Sequence, residues 1–169
     1  VPRSLKNKLR AVQVDAVSAG VNWTGISPDK LSVESVSGDI QLQRLSASEV
    51  SLESVSGKLA ASGVTAGKIS GNSVSGDIRL GGVFAEVDCE SMSGDTVVEA
   101  DKCPGKLDVE SVSGNIRLAI PENDGFTARY EKLSGSFSCA FTTRNEQEKA
   151  VYKNGGANFK FETVSGDID

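Results

Sequence analysis

Val-Glu-Ser-Val-Ser-Gly-Asp-Ile-Gln-Leu, at residues 33–42, is a unit that this 169-residue chain repeats along most of its length. Its centre, Ser-Val-Ser-Gly, stands at 35–38, 54–57, 73–76 and 111–114, and returns as Ser-Met-Ser-Gly at 91–94. Weaker copies are Lys-Leu-Ser-Gly at 132–135 and Thr-Val-Ser-Gly at 163–166. The closing glycines, Gly38, Gly57, Gly76, Gly94, Gly114, Gly135 and Gly166, are separated by 19, 19, 18, 20, 21 and 31 residues. A fixed period near 20 marks a solenoid, in which each repeat is one supersecondary unit stacked on its neighbour.

The unit's interior says what is stacked. Ile40, Leu42, Leu45, Val50, Leu52 and Val55 return nineteen residues later as Leu59, Ala61, Val64, Ile69, Gly71 and Val74. Pairs such as Ile40/Leu42 and Val50/Leu52 alternate with period two, and no helical stripe is present. Short strands joined by tight turns follow, each pairing in parallel with its counterpart about 4.8 Å away. The expectation is an all-β, single-domain parallel β-solenoid (β-helix) of about seven to eight coils, with roughly 19–21 residues per coil. Such a rod is about 35–40 Å long, with these apolar residues in a narrow dry core. Residues 9–169 form the solenoid domain, and 1–8 form an N-terminal tail or a vector remnant.

The Ser-Gly step reads as a corner. Glycine permits the positive φ or the crowding that β-branched residues refuse. Asp or Asn follows at 39, 77, 95, 115 and 167, consistent with turn chemistry. The serines at 37, 56, 75, 93, 113, 134 and 165 fit a tight corner and can bond to the next coil. They are not a row of nucleophiles. The chain has no histidine, which removes a Ser-His-Asp triad, and no catalytic residue is assigned.

Composition narrows the remaining classes. A net charge of -5 with no basic run argues against nucleic acid. No run of 18 apolar residues spans a membrane, and no Asp-x-Asp-x-Asp-Gly loop offers a calcium site, so no metal or cofactor is expected. Cys89, Cys103 and Cys139 make an odd set without metal-site spacing. Cys89 and Cys139 stand where other repeats carry apolar residues and read as small core groups, while a Cys89–Cys103 disulfide stays open.

The C-terminal part departs from the period. Residues 119–126 insert a proline-containing turn, and the polar stretch at 142–158 reads as a protruding loop or hairpin before Phe159-Lys160-Phe161 re-enters the stack. At the other end Val12, Val14 and Val17 look like a degenerate first coil, with Trp23 as a plug over an exposed sheet edge.

One exterior position is singular. Four residues before each glycine stand Glu34, Glu53, Asn72, Glu90, Glu110, Glu131 and Glu162, pointing outward as one acidic ladder. It can hold a cation or a basic partner such as a cationic peptide. Equally, it can be a solvated face relieved by Arg79, Arg117 and Lys132. The turn positions Asp39, Lys58 and Asp77 alternate in sign, which favours register over metal binding.

The unit at 33–42 and its copies, the passage from Ile120-Pro121-Glu122 to Leu133-Ser134-Gly135, and the closing stretch at 155–168 resemble a bacterial β-solenoid domain family described as adhesin-like. The resemblance runs from about Leu9 onward. Lys58, Ser136 and the long 142–158 excursion depart from its pattern. It implies a non-catalytic module linked to the cell envelope and its stress responses, envelope or extracellular in location. Its partner would be a protein, peptide or envelope glycan. The alternatives are a structural protein that polymerises end to end through its solenoid ends, like bactofilins, and a β-helix enzyme acting on carbohydrate.

Overall fold

A computed structural model describes residues 10–25 and 27–169, so the N-terminal tail lies outside the described residues. Among the described residues fourteen strands form one sheet wound into a parallel β-solenoid. In chain order they are β1 (Ala11–Ala16), β2 (Val21–Thr24), β3 (Lys30–Ser35), β4 (Ile40–Gln43), β5 (Ser46–Ser54), β6 (Leu59–Ser75) and β7 (Ile78–Ser93). Then come β8 (Thr96–Lys102), β9 (Lys106–Ser113), β10 (Ile116–Ala119), β11 (Gly125–Ser134), β12 (Arg144–Glu146), β13 (Lys149–Lys153) and β14 (Ala157–Ser165). One row of parallel strands runs β1-β3-β5-β6-β7-β9-β14-β11. A second row runs through β2, β4, the starts of β6 and β7, then β8 and β10. Strands β6 and β7 serve both rows because each continues around a corner.

Period-two alternation puts the core between the rows. Ile40, Leu42, Val50, Leu52, Leu59 and Ile69 are fully buried, each stacked on an apolar residue of the next coil. Gly71 stands opposite Leu52 and Cys89, and an added Cβ there would lie 3.2 Å from Ile78 Cγ2. One position departs from the sequence expectation. Val55 and Val74 are half exposed, as are Val36 and Met92. They share parity with the outward glutamates, so alternation turns them away from the core.

The coils do not all stack in chain order. Six wind in sequence from β1 to β10, and β14 and β11 add two further rungs to the first row. Strand β14 then inserts between β9 and β11, pairing Phe161 with Val109 on one side and with Tyr130 on the other. The 31-residue step between the last two glycines hides this inversion. The corner ladder follows space rather than sequence: an added Cβ on Gly166 would lie 2.1 Å from the Gly114 carbonyl oxygen, and one on Gly135 would lie 2.0 Å from that of Gly166. The turn residues keep the same order. Asp95 Oδ1 accepts from the Asn115 amide at 2.9 Å, Asn115 Oδ1 from the Asp167 amide at 3.0 Å, and Asp167 Oδ1 from the Ser136 amide at 2.8 Å.

Residues 142–158 do not protrude as a free loop. They form the β12–β13 hairpin, and β13 runs antiparallel along β11, pairing Phe126 with Tyr152. This covers the outer edge of β11 from Gly125 to Arg129. Phe126 is the hub, stacked on Phe159 with centroids 5.1 Å apart and packed against Tyr152 and Phe141 at 5.4 and 5.5 Å. At the opposite end Trp23 is half-buried against the core, in register with Leu42.

The hairpin is also pinned by charge. Glu122 Oε1 accepts from Tyr152 Oη at 2.5 Å and from Lys153 Nζ at 2.7 Å. These bonds hold the Glu122 carboxyl below its ordinary range. A carboxylate whose folded pKa is depressed stabilises the fold above its unfolded pKa of about 4.3, and that contribution fades as pH falls through the lower folded value. The hairpin should therefore loosen in acid, read as faster amide exchange at 149–153 below about pH 4. Glu122→Gln should show the looser exchange already at neutral pH.

Candidate functional site

The first row builds a groove along the solenoid. Its elements come from three consecutive residues per coil. The first is the glutamate position, outward because the preceding Val33, Leu52, Cys89 or Val109 points in. Register places Asp15 beside Glu34, Glu34 beside Glu53, Glu53 beside Asn72 and Asn72 beside Glu90. Glu110 stands beside Glu90 and Glu162, and Glu131 beside Glu162. All six glutamates proposed from the sequence thus stand on one ladder, with Glu162 ahead of Glu131. Asp15 extends it at the N-terminal end.

The second element is a floor of small hydroxyls. Ser35, Ser54, Ser73, Ser91, Ser111 and Thr163 are buried where the chain turns its corner. Ser35 and Ser54 Oγ each accept from the amide of the glycine three residues on, at 2.9 Å. In the next coil the Gly76 amide donates instead to the Ser93 carbonyl at 3.1 Å. Ser73 Oγ is left without a partner among the described residues, as is Thr163 Oγ1. A buried hydroxyl without a partner costs about 1–3 kcal/mol, so these two are expensive unless something meets them.

The third element is the half-exposed stripe of Val36, Val55, Val74, Met92, Val112 and Val164. Stripe, floor and ladder together line an open groove of about 990 Å³. Contiguous exposed apolar surface rimmed by polar residues is a mark of interaction sites. The floor and stripe were missed in the sequence because Ser and Val belong to the same repeat as the structural corner. Parity was the available signal: a valine two residues from an outward glutamate must also face out.

A neighbouring outward position shows that the acidic row is not forced by the stack. Four residues before the ladder stand Lys30, Glu49, Lys68, Glu86 and Lys106, in register and alternating in sign. Lys30 Nζ lies 2.5 Å from Glu49 Oε2. At the same strand spacing one row is neutralised rung by rung and the other is left acidic. Like charges directly opposite one another are unfavourable.

Relief comes from one unforeseen residue. Lys160 Nζ lies 2.6 Å from Glu162 Oε1 and 3.3 Å from Glu110 Oε1, and these carboxylates push its pKa above the ordinary lysine value. Arg79 and Arg117 stand on the second row, in register with Val97 of β8, and do not relieve the ladder. Lys132 Nζ donates to the Gly135 carbonyl at 2.7 Å. Lys58 Nζ lies 3.7 Å from Asp77 Oδ2, so the turn position does pair opposite charges.

Among the described residues no group of three acidic or cysteine side chains converges on a metal-sized site, and no helix is long and apolar enough to cross a membrane. All three cysteines are free thiols. Burial pushes the Cys89 thiol up to about 12, which leaves it unreactive at neutral pH.

Fold and groove together define a parallel β-solenoid with one continuous acid-and-apolar face. The Toastrack DUF4097 family model matches residues 2–169, and the chain belongs to that family. No curated protein and no solved structure matches it.

Proposed function

We propose that this chain is a non-catalytic binding or scaffolding module of the bacterial cell envelope, adhesin-like in the general sense, whose groove takes an extended basic polypeptide segment. The observation that carries the reading is the ladder from Glu34 to Glu90, which no ion pair among the described residues compensates, beside a row of equal spacing whose charges alternate. The ladder offers acceptors about every 4.8 Å, and the stripe offers apolar surface at the same interval. An extended segment of lysine and valine supplies cations to the ladder and apolar surface to the stripe. The lack of histidine supports a binding role over catalysis.

The test is titration of a Lys-Val alternating peptide against the protein at low and high salt. Binding should weaken as salt rises, because exposed charges are screened. Glu90→Lys with Glu110→Lys should lower affinity about tenfold, since each exposed pair contributes up to about 1 kcal/mol. Lys160→Ala, which frees Glu110 and Glu162, should raise it. Equal binding by the double variant, or by an Asp-Val peptide, would remove the proposal.

The floor adds an independent check. Thr163→Val should leave the unbound protein as stable as before or more so, by up to about 1 kcal/mol in a thermal melt. A clear loss of stability would show that Thr163 Oγ1 is already satisfied.

A further inference from the structure

We propose that the partner of the acidic groove is a polyproline II segment carrying a cation at every third residue. Such a partner presupposes the basic-segment reading above and narrows it to one conformation and one spacing. Parallel strands set successive rungs of the first row about 4.8 Å apart, and every second rung about 9.6 Å apart. A polyproline II chain has three residues per turn and rises about 3.1 Å per residue, so a side chain returns to the same face every ~9.3 Å. The two repeats drift by only about 0.6 Å over four rungs. A β-strand returns a side chain to one face every ~6.8 Å, out of step with one rung and with two. An α-helix turns every ~5.4 Å and is about half a rung out after four rungs.

The ladder carries the same two-rung period. In spatial order its first six rungs are Asp15, Glu34, Glu53, Asn72, Glu90 and Glu110. Of the even rungs, Asn72 is neutral and Glu110 already shares Lys160 with Glu162. A ligand with a cation at every second rung therefore has two phases. One meets Asp15, Glu53 and Glu90, which have no ion pair among the described residues, and the other meets Glu34 alone. A second, independent observation lies in the floor. Ser73 lines the groove at the Asn72 rung, is only 5% exposed, and has no partner for its Oγ among the described residues. A polyproline II backbone makes no internal hydrogen bonds, so its carbonyls are free acceptors. Between cations held at Glu53 and Glu90, backbone rather than charge passes the Asn72 rung. The Ser73 hydroxyl and the Asn72 amide both donate to a carbonyl there, as a carboxylate could not. The half-exposed stripe at Val55, Val74 and Met92 takes the proline rings on the segment's next face. Proline presets the backbone, so docking orders little that is not already ordered.

The probe is a capped peptide of four Lys-Pro-Pro units followed by one proline, which keeps every lysine on one face. Its control is three Lys-Pro-Pro-Pro units closed by one lysine, equal in composition and charge but with the lysines turned around all three faces. In calorimetric titrations the phased peptide should bind about tenfold more tightly, as two further exposed ion pairs allow. Glu53→Gln and Glu90→Gln should each weaken it about fivefold. Glu34→Gln, one rung out of phase, should change it less than about twofold. Ser73→Ala should weaken it about threefold without lowering the melting temperature of the unbound protein. Equal affinity for the two peptides, or equal losses at Glu34, Glu53 and Glu90, would overturn the polyproline II partner and leave a groove for basic segments of any conformation. An alternating Lys-Val peptide that binds as tightly as the phased one would do the same. Failure of all three cationic peptides to bind would remove both readings.

Discussion

Gly114→Ala should destabilise the protein by about 2–6 kcal/mol, the sum of overpacking and backbone strain. An added Cβ would lie 2.1 Å from the Gly94 carbonyl oxygen, and φ at Gly114 is +144°. Neither neighbour can give way. Gly94 is fixed beneath the rung, and the Gly166 amide plane presses from above at the spacing of paired strands. For a chain of this length the loss corresponds to a fall in melting temperature of about 5–20 °C. Crowding is shared by the corner glycines whatever their φ: Gly57 has no positive φ, yet its Cβ would meet the Gly38 carbonyl oxygen at 2.2 Å. Gly105→Ala is the control, with its nearest atom at 3.6 Å and no unusual φ. It should melt within a few degrees of the parent. A Gly114→Ala protein that melts with the parent would remove the close-packed corner as the reason for the repeat.

Phe126→Ala should cost about 3–5 kcal/mol, the usual range for emptying a buried aromatic site. Phe126 is buried and joins the stack to its cap through Phe159, Tyr152 and Phe141. Its loss should therefore act regionally. Amide protection should fall first across β11, β13 and β14 and remain near the parent in β3 to β7, because a repeat array spreads damage mainly to nearest neighbours. Leu133→Ala, at a side chain 84% exposed, should change the melt by no more than about 0.5 kcal/mol. Uniform loss of protection from β1 to β14 would mean that the cap and the coils unfold as one unit.

The repeat made the solenoid legible because one residue type was demanded at one place in every coil. Where a carbonyl of the previous rung occupies the space of a Cβ, only glycine fits, and the period becomes visible without any structure. The glutamate ladder was legible for a related reason: strand alternation from Val33, Leu52 and Cys89 fixes its direction. Two things were not. Val55 and Val74 are apolar like the core, and only counting parity from the glutamates turns them outward. The position of β14 was hidden more deeply. Its motif matches that of β11, so Glu162 is as good a neighbour for Glu110 as Glu131 would be. The discriminating elements are the hairpin at 144–153, which occupies the outer edge of β11, and the 121–124 turn that Lys153 grips. Their pairing depends on long-range geometry that a local pattern does not carry.

The inserted β14 also imposes an order on how the chain can be assembled. Coils from β1 to β10 can be laid down as the polypeptide emerges, each rung landing on a finished one. Strand β11 is made earlier than β14 yet reaches its native place only once β14 has settled against β9. It must wait, with Phe126, Tyr130 and the hairpin in tow, for residues some thirty positions downstream. The rod is thus built by extension for most of its length and closed by a single late, non-local event, which is the slow kind of step in folding. A ribosome stalled, or a chain cut, shortly before Ala157 would carry six ordered coils and an orphaned aromatic lid.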